Sequence, residues 1–203
     1  RRKNSIFSEF DLDSISSKES LPYLKPRIAF RTISRATDFR TIRAALIPPE
    51  TIITNHGPYF LWPRGNKKNE CYLLGILSSI PLDWYARRFV EVNVNFFIIE
   101  PFPIPRPDNN SLLFQRVIKL AGRLACPDER FSEWAKEVGV ACGPLEEDKK
   151  QDMSHELDAV VAHLYGLTKD HLTHIFETFH VGWDYHDRLE STLKHYQHWS
   201  EKK

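Results

Sequence analysis

The spacing of apolar and polar positions changes three times along this chain, and each change marks a different kind of element. Residues 1–25 are polar and serine-rich with no sustained period, as expected of a linker or loosely packed lead-in. Short β-branched and aromatic runs follow. Residues 27–33 and 40–47 predict two strands joined by a turn at Ala36-Thr37-Asp38, with Pro48-Pro49 ending the second. Residues 51–54 and 59–62 predict two more short strands around an Asn55-His56-Gly57-Pro58 turn. From Glu70 the period becomes helical through Cys71, Leu74, Ile76 and Leu77, and Pro81 opens a second helix at its first turn. Residues 95–99 read as an apolar strand, and prolines at 101, 103, 105 and 107 keep the next piece extended. After Ser111 the pattern is helical throughout, with helices expected over 112–124, 129–138, 154–165 and 169–179 and an amphipathic, histidine-rich one over 180–199. Gly166 and Thr168 supply the caps between the third and fourth of these.

The fold class expected is α/β in the broad sense, more narrowly α+β: a small mixed or antiparallel sheet with helices, followed by a helical C-terminal part. The corresponding division is a lead-in over 1–21, a sheet-containing unit over 22–110 and a helical region over 111–203. A chain of 203 residues can bury a real core. No apolar run is long enough to cross a bilayer and no signal peptide opens the chain, so no membrane partner is expected. Three cysteines, Cys71, Cys126 and Cys142, lack paired spacing; an odd count without a secretory signal points to reduced thiols in a cytoplasm. Residue 1 is Arg and the only methionine is Met153, which suggests a piece of something larger or a processed product.

Charge alters this picture. The net +1 averages two unlike halves: residues 1–100 carry 15 Lys/Arg and 10 Asp/Glu, residues 101–203 carry 13 and 17, giving +5 and −4. The basic excess is concentrated between Pro26 and Arg43, where Arg27, Arg31, Arg35, Arg40 and Arg43 face one acid, Asp38. They are interleaved with Ile28, Phe30, Ile33, Phe39 and Ile42, which have the character of core residues. Guanidinium groups on a half-buried framework suit phosphate oxygens and the acceptor edge of guanine, so these five are the first candidates for DNA contact. If the backbone is extended throughout, Arg27, Arg31 and Arg35 share one face and Ile28 and Phe30 the other. The plainer alternative is an edge strand whose charges prevent aggregation. Arg64, Lys67 and Lys68, on a basic loop, are second-rank phosphate contacts, and Asn55 and His56, on a turn, are candidates to touch bases. Arg87 and Arg88 are a further possible extension of the patch.

Other chemistries are less well supported. Asn55-His56-Gly57-Pro58-Tyr59-Phe60 departs from the Asn/Asp-Pro-Pro-Tyr/Phe motif of adenine methyltransferases, and no glycine-rich loop after a strand would hold S-adenosylmethionine. A nuclease needs carboxylates clustered with a lysine around a metal. Glu146-Glu147-Asp148-Lys149-Lys150 has those residue types but reads as a solvated charge run. His171/His174 and His195/His198 lack the two further ligands zinc would need. Residues 165–172 outline a helix-turn-helix, but the second helix is too poor in cations to be a recognition helix, which favours simple hairpin packing. No catalytic or metal-ligating residues are therefore assigned.

An ordered set of short motifs carries a resemblance. Pro26-Arg27-Ile28-Ala29-Phe30-Arg31, Ser34-Arg35-Ala36-Thr37, Arg40-Thr41, Ala44 to Pro49, Leu73-Leu74-Gly75 to Ser78-Ser79, Asp83-Trp84, Val94-Asn95-Phe96-Phe97, Pro101 to Pro105, and Leu157-Asp158-Ala159 to Leu164-Tyr165-Gly166-Leu167 occur in turn. Over roughly residues 22–180 the chain resembles the C-terminal target-recognition region of adenine-N6 DNA methylases of bacterial restriction–modification and phage-defence systems, related to the type IIG class. The resemblance implies a specificity domain without catalytic residues of its own, which binds double-stranded DNA and presents a flipped adenine to the catalytic domain. It implies as partners duplex DNA and the methyltransferase domain of a parent chain. It implies no cofactor in this region and S-adenosylmethionine in the parent, which in some members also cleaves DNA. Positions that read bases differ between members, so no base-contact list is carried over. The alternatives are a docking module within a DNA-modifying complex, favoured by the acidic second half, and a metal-dependent nuclease in which Glu91 and Glu100 converge with a lysine.

Overall fold

The computed structural model describes residues 21–35, 37–61 and 66–202. Among these are eight α-helices and a two-stranded antiparallel sheet, an α+β fold. After a 3-10 turn at Pro22–Leu24, β1 (Arg27–Phe30) pairs with β2 (Ala44–Ile47) in the register Ile28 to Leu46 and Ala29 to Ala45. Both strands are shorter than the sequence pattern predicts. The chain leaves the ladder at Arg31 because its next partners are loops, not β2: Thr32 N–H donates to His56 O at 3.0 Å and Ser34 N–H to Val92 O at 3.1 Å. The strands expected at 51–54 and 59–62 do not form. Instead Tyr59 makes a single antiparallel bridge with Ala29, held by Phe30 N–H to Pro58 O and Phe60 N–H to Ile28 O, both 2.9 Å; Trp62 lies outside the described residues.

The helices start where side chains satisfy their free N–H groups. Asn66 caps α1 (Lys67–Leu77) and Ser79 caps α2 (Ile80–Ala86), which has Pro81 in its first turn. The apolar run at 95–99 is not a strand but the one-turn helix α3 (Phe96–Ile99). The Asn95 side chain accepts from Ile98 N–H at 3.1 Å, so a capping residue overrides the β propensity of Phe-Phe-Ile-Ile. Ser111 caps α4 (Leu112–Ala125). The helix expected over 129–138 divides into a 3-10 turn, Glu129–Phe131, and α5 (Ser132–Val138), ended by Gly139 at φ 85°. The charge run at 146–150 is helical too: α6 (Glu147–Leu164) begins there, with Glu147 and Asp148 favourably placed at its positive end. Thr168 forms a capping box with His171 to start α7 (Lys169–Glu177). Helix α8 (His186–Ser200) starts six residues later than the pattern predicts, after Gly182 turns the chain at φ 77°.

The main core joins both ends of the chain. Ile28, Phe30, Ile42 and Leu46 pack in one cluster with Leu74, Leu77, Val117, Leu120, Trp134, Leu157 and Trp199. Helix α1 crosses α4 at Gly75, where a Cβ would fall 2.5 Å from Val117 Cγ1, so only glycine permits this approach. A smaller cluster, Ile80, Ala162, Leu172, Ile175, Phe176 and Phe179, fastens α7 to α2 and α6. No helix among the described residues is long and apolar enough to cross a membrane.

Two buried glutamates bind this core internally. Glu70 accepts from Trp134 Nε1 at 3.0 Å and from Lys67 Nζ at 2.9 Å. Glu156 accepts from Trp199 Nε1 at 2.9 Å and pairs bidentately with Arg116, whose Nε lies 2.7 Å away. Burial pushes the Glu156 carboxyl upward, but the bonds from Arg116 and Trp199 outweigh it and hold the group below the usual glutamate range. Burial also raises the Cys71 and Cys126 thiols, the latter to about 12, which removes both as nucleophiles at neutral pH.

Candidate nucleic-acid interface

The five arginines of the 26–43 segment divide into two groups. Arg27 is 4% exposed; its Nη2 donates to Thr51 O at 2.6 Å and its guanidinium lies 4.8 Å from the Tyr59 ring centre. Arg40 is turned inward as well. Its Nε sits 2.8 Å from Asp83 Oδ2, and Nη2 donates to the Ser78 and Ser79 carbonyls at 2.8 and 3.2 Å, closing the C-terminal end of α1. Burial lowers the Arg40 pKa, opposed by the Asp83 charge. Arg43 is committed in part, with Nε donating to Arg40 O at 3.1 Å and Nη2 3.5 Å from Asp38. Arg31 and Arg35 are exposed, and their side chains have no hydrogen-bond or ion-pair partner among the described residues. One shared face for Arg27, Arg31 and Arg35 is therefore not observed. The extended backbone ends at Phe30, and Arg27 is buried as a strut under the loop at Thr51.

Asp83 explains the inward group. It is fully buried on α2 and accepts from Thr41 N–H at 3.1 Å and Ile42 N–H at 2.7 Å besides pairing with Arg40. A second buried acid backs it: Asp158 of α6 accepts from Ile80 N–H at 2.8 Å on Oδ1, and its Oδ2 accepts from both Nε and Nη2 of Arg188 of α8 at 3.1 and 2.6 Å. Arg87 completes the clamp, donating to the carbonyls of Asp38 and Phe39 at 2.6 and 2.9 Å while lying 4.0 Å over Phe179. Arg87 therefore belongs to this joint, whereas Arg88 is exposed and covers Trp84 at 4.5 Å.

The outward group sits on a platform of three backbone segments. Residues 31–35 lie between the turn at 54–57 and the stretch at 91–95. Ile33 and Asn93 form an antiparallel bridge, flanked by Ser34 N–H to Val92 O at 3.1 Å and Val94 N–H to Thr32 O at 2.7 Å. Burial alternates along it: Arg31, Ile33 and Arg35 are exposed, Thr32 is half-buried and Ser34 is buried. Arg31, Ile33 and Arg35 are thus the exposed residues of this segment, and Asn93 and Asn95 are exposed on the stretch bonded to it. Asn55 and His56 are exposed on the adjoining turn; His56 Nδ1 is 3.3 Å from Thr32 Oγ1. Glu91 is the acid at the margin of this surface. Neither Asn93 nor Asn95 is a contact candidate from the sequence, where Asn95 stands only within the Val94-Asn95-Phe96-Phe97 motif; the repeated Asn in Val92-Asn93 and Val94-Asn95 is the signal that points to them.

Lys67 and Lys68 lie elsewhere. They open α1 and line a groove of about 1100 Å³ with Arg27, Phe60, Arg130 and Trp134, at the end of β1 opposite Arg31. Lys67 is paired with Glu70, and Lys68 is exposed. Arg64 lies outside the described residues. Among the described residues, no three His, Cys, Asp or Glu side chains are placed to hold a metal ion. No protein-family model, curated protein or solved structure matches the chain.

Proposed function

We propose that this chain is a DNA target-recognition domain, and that the surface carrying Arg31, Arg35, Asn55, His56, Asn93 and Asn95 meets the duplex. The observation that carries this reading is the division among the arginines. Three are spent wholly or partly on internal carbonyls and carboxylates, while the Arg31 and Arg35 side chains are exposed with no partner among the described residues. Unpaired guanidinium groups fixed on a knitted backbone suit phosphate oxygens, and exposed amide side chains beside them suit base edges. Arg31 and Arg35 then hold the duplex in register, and Asn55, His56, Asn93 and Asn95 are the groups within reach of its bases. The ordered motif set and its resemblance to adenine-N6 methylase specificity regions support the same role, with methyl transfer supplied by a parent enzyme. The excess of acid over residues 101–203 suits contact with another protein domain better than contact with DNA.

The test is binding of the chain to mixed-sequence duplex DNA, followed by fluorescence anisotropy across a salt series. Arg31→Ala is expected to weaken binding uniformly and to reduce the slope of log K against log salt by about 1. Absence of binding at low salt, or an unchanged slope in both Arg31→Ala and Arg35→Ala, would overturn the reading.

A further inference from the structure

One large apolar side chain, on the segment bonded to the 31–35 stretch, stands exposed in the free chain. Phe97 is 88% exposed, although the turn that carries it is firmly seated. Its neighbour Phe96 packs edge-on against Phe30 and Phe60, with ring centres 5.3 and 5.7 Å apart. Ile99, two residues on, is buried, and Asn95 caps the turn. The turn is thus anchored on both sides of Phe97 while the ring itself stands in water. Ile33, 43% exposed, adds an apolar side chain at the bridge that ties this segment to the arginines.

We propose that Phe97 is an aromatic wedge that stacks on or between bases of the bound duplex. The proposal rests on the DNA-binding reading above and deepens it. Charge complementarity selects nucleic acid over a protein partner: the antiparallel bridge sets Asn95 near Arg31 and Glu91 near Arg35, so the ring's end of the segment lies toward the cation Arg31 and the amides Asn93 and Asn95, with Glu100 three residues beyond the ring. A rigid apolar side chain presented beside cationic groups is the arrangement that unstacks a base step and kinks a duplex, because phosphate contacts hold the backbone while the ring replaces the lost base–base stacking. Anchoring through Phe96 and Ile99 means that little order must be imposed on the turn when the ring inserts.

The test uses the whole chain and a mixed-sequence duplex carrying 2-aminopurine at internal positions. Phe97→Ala is expected to weaken binding roughly 5- to 100-fold at every salt concentration, the range for loss of one stacked aromatic. It should leave the salt slope unchanged, because no phosphate contact is removed. The rise in 2-aminopurine fluorescence seen with the wild-type chain should disappear, and Phe97→Leu should retain part of both effects. Because the ring is exposed, thermal melting of the variants should match the wild type, which separates a folding defect from a binding one. If the wild-type chain binds DNA with an Arg31-dependent salt slope, yet Phe97→Ala binds equally well, the wedge is refuted while the DNA-binding reading stands. If the wild-type chain binds no DNA, both fall. Photo-crosslinking from benzoylphenylalanine at position 97 to a protein but not to the duplex would reassign the ring to a protein interface.

Discussion

Two regions only a few residues apart in the chain use arginine in opposite ways. At the 37–43 loop, Arg40 is drawn inward onto Asp83 and the end of α1, and Arg87 and Arg43 close around it. At the 31–35 segment, Arg31 and Arg35 are turned outward on a backbone bonded on both sides. The residue type is the same; the acids are not. Helix α2 brings a buried carboxylate to the first region, and a second carboxylate on α6 fixes the start of that helix. The 31–35 segment meets one carboxylate, that of Asp38, and only through the Arg35 backbone N–H at 3.3 Å; neither guanidinium is drawn onto an acid among the described residues. An arginine therefore signals a binding surface only where no distant acid waits to receive it.

The largest effect is expected from breaking the inward region. Asp83→Ala leaves the Arg40 charge buried without its counter-ion and strips two backbone N–H groups of their acceptor. Truncating one partner of such a buried pair costs about 3–5 kcal/mol. Urea unfolding should show a lower midpoint for Asp83→Ala, and a loss under about 1 kcal/mol would mean that the joint between the loop, α2 and α6 is not what holds the arginine segment in place.

Next comes the frame that offers Arg40 its carbonyls. Gly75→Val drives α1 away from Val117 of α4, because even the Cβ has no room. Overpacking of this kind costs about 1–3 kcal/mol. It should also shift Ser78 and Ser79 away from Arg40, so combining it with Arg40→Met should cost less than the sum of the two single changes. Strict additivity in a double-mutant cycle would show that the helix crossing and the arginine anchor are independent.

The third expected effect separates the helical region from both. Glu156 has a folded pKa below its unfolded value, so its contribution is fully present above the unfolded value of about 4.3 and is lost as pH falls through the folded one. Glu156→Gln keeps the shape and removes the charge. At pH 7 it should lower stability by about 1 kcal/mol, since the half-exposed Arg116 can be resolvated. The gap to the wild type should then close as the pH is taken well below 4. A gap that stays constant across that window would mean that the carboxylate charge contributes nothing.

How far these features were legible in the sequence follows from their range. Local signals carried in the helical part: Thr168 caps a helix and Gly166 ends one as their types predict, while α1 starts at Lys67, capped by Asn66, inside the stretch whose composition reads as a loop. The misread elements failed where local signals conflicted. Phe-Phe-Ile-Ile has the composition of a strand, but Asn95 starts a helical turn; the acidic–basic run at 146–150 is solvated as its composition indicates, yet α6 begins within it, ahead of the apolar period that marks the helix from 154. The fate of each arginine was not legible, since Asp83 lies 43 residues from Arg40 and Thr51 lies 24 from Arg27, and nothing near either arginine announces its partner. Asn93 entered the surface through an isolated bridge to Ile33, a pairing of sixty residues' separation with no regular ladder to predict it.

The smallest expected effect is on the outward region, and it sharpens the comparison most. Replacing both Arg31 and Arg35 by Ala removes two cations that bond to nothing among the described residues, so no carbonyl loses a donor and no acid loses a counter-ion. Exposed substitutions away from packing, caps and strained backbone stay within about 0.5 kcal/mol of neutral. The double variant should therefore unfold at the wild-type urea midpoint, whereas Arg27→Ala and Arg40→Ala, which empty buried sites, should each lower it. A double variant destabilised by more than about 1 kcal/mol would show that Arg31 and Arg35 hold the fold like their neighbours. The division between structural and free arginines, on which the DNA-binding surface is drawn, would then fail.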